Sequence, residues 1–179
     1  RLGIDLPGEK QGSFPDPATK AVSEPQDPIW RVGDSYNVSI GQGGVKTTPL
    51  QITGMIAAIA NGGKLIKPHL VAKIISRNGE NRGIKNDPQS QIISSETSAK
   101  LVNMLVRVVE NGSGRQAQIT GYTIAGKTGT AQIPDLKNGG YLDEYIHTFV
   151  AFAPAYDPKF IVLLKLDNPR GIRFAESTV

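Results

Sequence analysis

One stretch stands out for the chemistry its side chains can do: Ala125-Gly126-Lys127-Thr128-Gly129-Thr130-Ala131-Gln132. Two glycines weaken a strand interior and mark places where a ligand or another backbone comes close. Strand side chains alternate, so Lys127 and Gly129 face one way and Thr128 and Thr130 the other, unless a bulge intervenes. If the strand edges a cleft, Lys127 is a cation beside it, Gly129 is a gap, and the threonines are hydroxyl donors. A peptide laid along such an edge would pair with its backbone. These parts suit the grip of a peptide that ends in a carboxylate. The triplet Lys-Thr-Gly is common, however, and a solvent-facing strand is the competing reading of these letters alone.

The rest of the chain offers little other chemistry. It has no cysteine, which excludes disulfides, thiolate nucleophiles and cysteine-ligated zinc. Its two histidines, His69 and His147, lie far apart and in no His-x-x-x-His spacing, so neither metal nor cofactor is expected. His147 heads a strand beside the motif strand and reads as structural. Tyr141, Asp143, Glu144 and Tyr145 fall in the loop after the motif strand, within reach of a substrate. Ile40-Gly41-Gln42-Gly43-Gly44 lacks the spacing of a phosphate loop and reads as a packing turn. Asn37-Val38-Ser39 and Asn111-Gly112-Ser113 match the glycosylation sequon and carry little beyond that.

Composition sets the class. With 39% hydrophobic and 20% charged residues, the 179-residue chain has room for one globular domain or a large part of one. A net charge of +4 is spread along the chain, with no basic stripe interleaved with aromatics, so nucleic acid is not an expected partner. No apolar run reaches the length of a membrane span. The opening Arg1-Leu2-Gly3-Ile4-Asp5-Leu6-Pro7-Gly8-Glu9 reads as the middle of a protein, and both ends look like cuts.

The elements that must hold the motif follow from periodicity. Residues 1–36, broken by Pro7, Pro15, Pro17, Pro25 and Pro28, read as extended and looped. A helix is predicted from Thr48-Pro49 to Ala60, capped by Thr48 and Gln51, largely buried, and stopped by Asn61-Gly62-Gly63. Residues 69–78 read as a strand and 79–90 as a polar loop. A second helix starts near Ser94 or Ser95 and ends at Asn111-Gly112. Three strands follow, from Tyr122 to Ile133, Ile146 to Ala153 and Phe160 to Asp167. Their short joints, 134–144 and 154–158, require antiparallel pairing. The prediction is an α+β chain: a three-stranded antiparallel meander preceded by two helices.

Several stretches in order carry a resemblance. Gly3-Ile4-Asp5-Leu6-Pro7-Gly8-Glu9, Ile40-Gly41-Gln42-Gly43 with Thr48-Pro49-Leu50-Gln51, Gly126-Lys127-Thr128-Gly129-Thr130-Ala131-Gln132, Phe149-Val150-Ala151-Phe152-Ala153-Pro154 and Asp167-Asn168-Pro169 together resemble the class B penicillin-binding proteins. Those are the peptidoglycan D,D-transpeptidases of cell elongation or division, whose motifs include Lys-Thr-Gly on a strand. The resemblance spans nearly the whole chain.

It implies a penicillin-binding transpeptidase or serine β-lactamase-like fold: an antiparallel sheet, five-stranded when complete, with helices on both faces. It implies that residues 1–179 are the C-terminal part of such a domain. In that family a serine in Ser-x-x-Lys attacks the penultimate D-alanine carbonyl of a stem peptide. No Ser-x-x-Lys occurs here; the nearest lookalike, Thr97-Ser98-Ala99-Lys100, lies on a predicted surface helix. Ser35-Tyr36-Asn37 and Ser76-Arg77-Asn78 are in the wrong place for the family's middle motif. The nucleophile, its lysine and that motif are therefore expected upstream, and a last helix packing on the sheet is expected to be cut at Ser177-Thr178-Val179.

The resemblance assigns catalytic roles to Lys127, Thr128, Gly129 and Thr130, and substrate binding to Thr128, Gly129, Thr130 and Gln132. Lys127 would supply positive potential, the two threonine hydroxyls would bind a carboxylate, and the Thr130 N–H would be one oxyanion donor. Implied partners are the peptidoglycan stem peptide, β-lactam antibiotics, the upstream part of the same protein, and a cell-wall synthesis complex. The implied place is the extracytoplasmic face of the bacterial cell membrane, with the anchor outside this chain. The alternative is a degenerate transpeptidase-like module that grips a peptide or partner without chemistry.

Overall fold

Proline starts the first helix instead of preventing it. The computed structural model describes residues 1–83, 90–135, 137–172 and 174. In α1 (Pro17–Ser23) the Asp16 carboxylate accepts the Thr19 N–H at 2.7 Å, and the Asp16 N–H donates to the Thr19 hydroxyl at 2.7 Å. Pro17 sits at the first helical position, where its missing N–H costs nothing. In α2 (Val32–Ser39) the Asp34 carboxylate accepts the Arg31 N–H at 2.7 Å, and the buried Lys20 ammonium lies 2.7 Å from the same carboxylate. That pair clips α1 to α2. The extended reading of residues 1–36 is thus corrected: two short helices lie within it, and Pro17 marks where the first begins.

α3 (Pro49–Ala60) has the expected capping box between Thr48 and Gln51. Its chain reverses at 61–63, where Gly63 has φ +88° and a Cβ would overlap the Ile93 carbonyl. β1 (Lys64–Leu65) follows, then a hairpin of β2 (Lys73–Ile75) and β3 (Asn81–Gly83). β4 (Ser90–Gln91) returns to pair antiparallel with β1. The strand expected over 69–78 therefore shrinks to Lys73–Ile75, and part of the expected loop becomes its partner. This ribbon is exposed on both strands, so no apolar alternation announces it. Residues 84–89 of that expected loop lie outside the described residues, as does the expected cut helix end at 177–179.

α4 (Ser95–Asn111) is capped by Ser94, and a short 3-10 turn spans Arg115–Ala117. β5 (Ala125–Pro134), β6 (Tyr141–Ala153) and β7 (Phe160–Asp167) form the predicted antiparallel meander in the order β5-β6-β7. β6 starts earlier than expected, so Tyr141, Asp143, Glu144 and Tyr145 are strand residues and not loop residues. Register is continuous from Ala125 to Gln132 and shifts only between Gln132 and Pro134.

Alternation sorts the sheet into two faces. Ala125, Val150 and Phe152 face α3 and α4, where they pack with Ile56, Val102 and Val106. Phe149 and Ala153 face the other way and meet Val109 at the end of α4, with Ile124. Further out on that second face, Phe160, Val162, Leu164 and Leu166 of β7 are exposed. Among the described residues, helices thus cover one face, and only the end of α4 and the 3-10 turn border the other. α3 is mostly half-buried, with Ile56 and Ala58 buried and Met55 54% exposed, so the burial expected of it is partial.

Candidate active site

β5 is an edge strand of its sheet, so the motif lies on a border. The Lys127 side chain is exposed, and its ammonium donates to the Thr128 carbonyl at 2.7 Å. Thr128 is half-buried, and its hydroxyl lies 2.7 Å from the Ser113 hydroxyl in the loop after α4. Gly129 stands opposite Thr148 of β6. A Cβ on Gly129 would come within 2.5 Å of the Thr148 Oγ1, so part of the gap expected there is filled from within the sheet. Thr130 stands opposite His147. The Gln132 amide donates to the Leu142 carbonyl across the hairpin at 3.0 Å.

Beyond Thr128, the strand opens onto a cavity of about 500 Å³. Gly129, Thr130, Ala131 and Gln132 line one wall, and the glycine-rich residues 40–47 line the opposite one. That loop is tied in place by paired backbone bonds between Ser13 and Lys46, at 2.7 and 2.8 Å. The sequence reading of 40–44 as a packing turn left out its position across from the motif.

The structure therefore divides the candidate residues. Gly129, Thr130 and Gln132 share the cavity, while Lys127 and Thr128 lie on the half of the strand before it. Tyr141 also lines the cavity; Asp143, Glu144 and Tyr145 do not. His147 is 2% exposed and stands beside Thr130 on the neighbouring strand. In the Ser-x-x-Lys lookalike, Thr97 stands in the serine position and its hydroxyl oxygen accepts from the Ser94 hydroxyl at 2.9 Å, while Lys100 pairs with Glu96, so both are engaged within their own helix.

Two residues escaped the sequence reading. Lys165 lines the cavity from β7 and pairs with Asp167. Its signal was a lone lysine in the apolar run Phe-Ile-Val-Leu-Leu-Lys-Leu, on the same face as Leu163. Ser113 was noticed only as part of a sequon. No cluster of three or more His, Asp or Glu side chains suited to a metal occurs among the described residues. No helix among them is long and apolar enough to cross a membrane.

Comparison with known proteins bears on the whole chain. The family model for the penicillin binding protein transpeptidase domain matches residues 1–179. Stage V sporulation protein D of Bacillus subtilis is 38% identical over 176 residues, covering 96% of this chain and 25% of that protein. The peptidoglycan D,D-transpeptidase MrdA of Acinetobacter baumannii is 32% identical over 181 residues, covering 95% and 26%. A crystal structure of penicillin binding protein 3 from Mycobacterium tuberculosis, complexed with aztreonam, superposes with a TM-score of 0.81 at 34% identity. That match covers 94% of this chain and 37% of the other. The chain spans about a quarter of the length of the curated relatives it matches.

Proposed function

This chain belongs to the penicillin-binding protein transpeptidase domain family, and from that premise we propose that it is the part of a peptidoglycan D,D-transpeptidase that supplies the Lys-Thr-Gly wall of the active site. The observation that carries this reading is the placement of Lys127-Thr128-Gly129-Thr130 on an exposed edge strand that opens onto a cavity. An extended stem peptide would lie along that edge and pair with its backbone. Its terminal carboxylate would meet the hydroxyls of Thr128 and Thr130 in the positive potential of Lys127. Gln132, with one amide N–H donated to the Leu142 carbonyl, would contact the substrate through its amide oxygen or its second N–H.

The serine comes from the upstream part of the same protein. Its hydroxyl oxygen bonds to the penultimate D-alanine carbonyl carbon, its proton passes to the leaving nitrogen, and the terminal D-alanine departs. The amine of a neighbouring stem then attacks the ester, and the serine hydroxyl is regenerated. The Thr130 N–H would face the developing oxyanion; loss of one such donor costs about 2.7–4 kcal/mol in comparable sites. A β-lactam, with its own carboxylate and strained acyl carbon, would be taken as the peptide is. The working place is the extracytoplasmic face of the cell membrane, within a cell-wall synthesis complex.

The test uses the complete protein and a fluorescent penicillin. Wild type should label stoichiometrically. Lys127→Ala should abolish labelling with an unchanged melting temperature, and near-normal labelling of that variant would sink the assignment. The 179-residue chain expressed without its upstream part should not label at all.

A further inference from the structure

The loop between α4 and the 3-10 turn is built around one point. The N–H groups of Gly112 and Gly114 both donate to the Val108 carbonyl, at 3.1 and 3.0 Å. The Gln118 side chain donates to the next two carbonyls, Val109 at 2.8 Å and Glu110 at 2.7 Å. Three carbonyls that a helix end leaves without intrahelical partners are thereby satisfied, and the loop is fixed to the helix. Neither glycine has room to spare. A Cβ at 112 would lie 2.9 Å from the Val108 carbonyl oxygen, and one at 114 would lie 3.3 Å from the Phe149 ring. The same ring lies 2.8 Å from where a Cβ of Gly126 would be. Phe149 is also the cross-strand partner of Thr128.

Phe149 packs under Gly114 of the loop and Gly126 of the strand, and Ser113 is the loop side chain that meets the motif. Its hydroxyl meets that of Thr128 at 2.7 Å, an ordinary O–H···O length, with both residues half-buried. A hydroxyl has one proton and two acceptor sites. When Ser113 donates to Thr128, the Thr128 proton is left to point elsewhere. A carboxylate arriving at the strand edge favours that direction, because a chain of hydroxyls ending on an anion polarises cooperatively.

We propose that Ser113 is a positioning residue for the acyl-transfer site: it holds the Thr128 hydroxyl and directs its proton toward the substrate carboxylate. This rests on the transpeptidase reading above. It assigns work to a residue outside the Lys-Thr-Gly strand, delivered by the loop after α4.

The test compares two acyl donors on the complete protein: a penicillin with its free carboxylate, and its methyl ester. Wild type should prefer the acid. Ser113→Ala should slow acylation by the acid about tenfold, mostly through weaker binding, and change the ester by less than about twofold. Ser113→Thr should restore the acid preference. In a double-mutant cycle, Ser113→Ala should add nothing once Thr128→Val is present. Equal losses with acid and ester, an acid rate within about twofold of wild type, or fully additive effects with Thr128→Val would each overturn the proposal. Should Ser113→Ala be insoluble, Ser113→Cys, a weak donor of similar volume, serves the same decision. Failure of wild type to label would remove the transpeptidase reading and this one with it. Normal labelling of wild type with an unchanged acid preference in the variant removes this one alone.

Discussion

Residues 1–47 and the β5-β6-β7 sheet are held by different forces. The sheet is held by apolar burial: Phe152 is 1% exposed, among Ile56, Val102, Val106 and Val150. The N-terminal region is held by polar side chains that reach backbone groups. Glu9 accepts the Leu2 and Gly3 N–H groups, Asp5 those of Leu70 and Val71 at 2.7 and 2.9 Å, and Asp34 that of Arg31. Several of its large apolar residues, among them Phe14, Ile29 and Tyr36, are exposed. The contrast teaches that the motif strand is carried by a packed body, while the loop facing it across the cavity is carried by a laced one.

The same deletion in each region tests that contrast most strongly. Phe152→Ala should cost about 3–5 kcal/mol in chemical denaturation of the complete protein, whereas Phe14→Ala, at 67% exposure, should fall within about 0.5 kcal/mol. A comparable loss at Phe14 would break the comparison. A smaller effect is expected at the clip between α1 and α2. Asp34→Ala leaves the Lys20 ammonium buried without that carboxylate and should lower the melting temperature, while Lys20→Met should lower it less. No change in Asp34→Ala would mean that the clip holds nothing.

The smallest effect is at Asp5, and it depends on pH. The N–H groups of Val71 and then Leu70 hold its carboxyl below the usual aspartate value. A depressed folded-state value stabilises above the unfolded value, near 3.9, and that contribution is lost as pH falls through the folded one. Asp5→Asn should therefore melt slightly below wild type at neutral pH, and the two melting curves should converge in strong acid. A gap that persists unchanged into acid would assign the effect to shape and not to charge.

Legibility followed the same division. The meander was readable because burial imposes alternation, and short joints leave only antiparallel pairing. Glycine and lysine in a strand drew attention to Lys127 to Thr130, but only the resemblance of several stretches in order gave them roles, and the cavity takes in Gly129 and Thr130 without Lys127 and Thr128. The N-terminal helices were not readable, because each is short and mostly exposed. Pro17 looked like a breaker until Asp16 and Thr19 were seen to close a box around it. The hairpin at 73–83 was hidden because an exposed ribbon needs no apolar period. In the site, the wall from 40 to 47 and Ser113 were missed because neither carries its meaning locally. Each acts through a neighbour far along the chain, Lys46 through Ser13 and Ser113 through Thr128.

The close approach of Gly129 to Thr148 has a consequence for how this sequence can drift. With a Cβ at 129 only 2.5 Å from the Thr148 oxygen, the two positions form one unit for selection. An alanine at 129 is expensive while 148 carries a branched polar side chain, and cheap once 148 has shrunk to glycine. The order of the two changes then decides whether the path is open, so the third letter of the motif is constrained by epistasis inside the sheet before any substrate arrives.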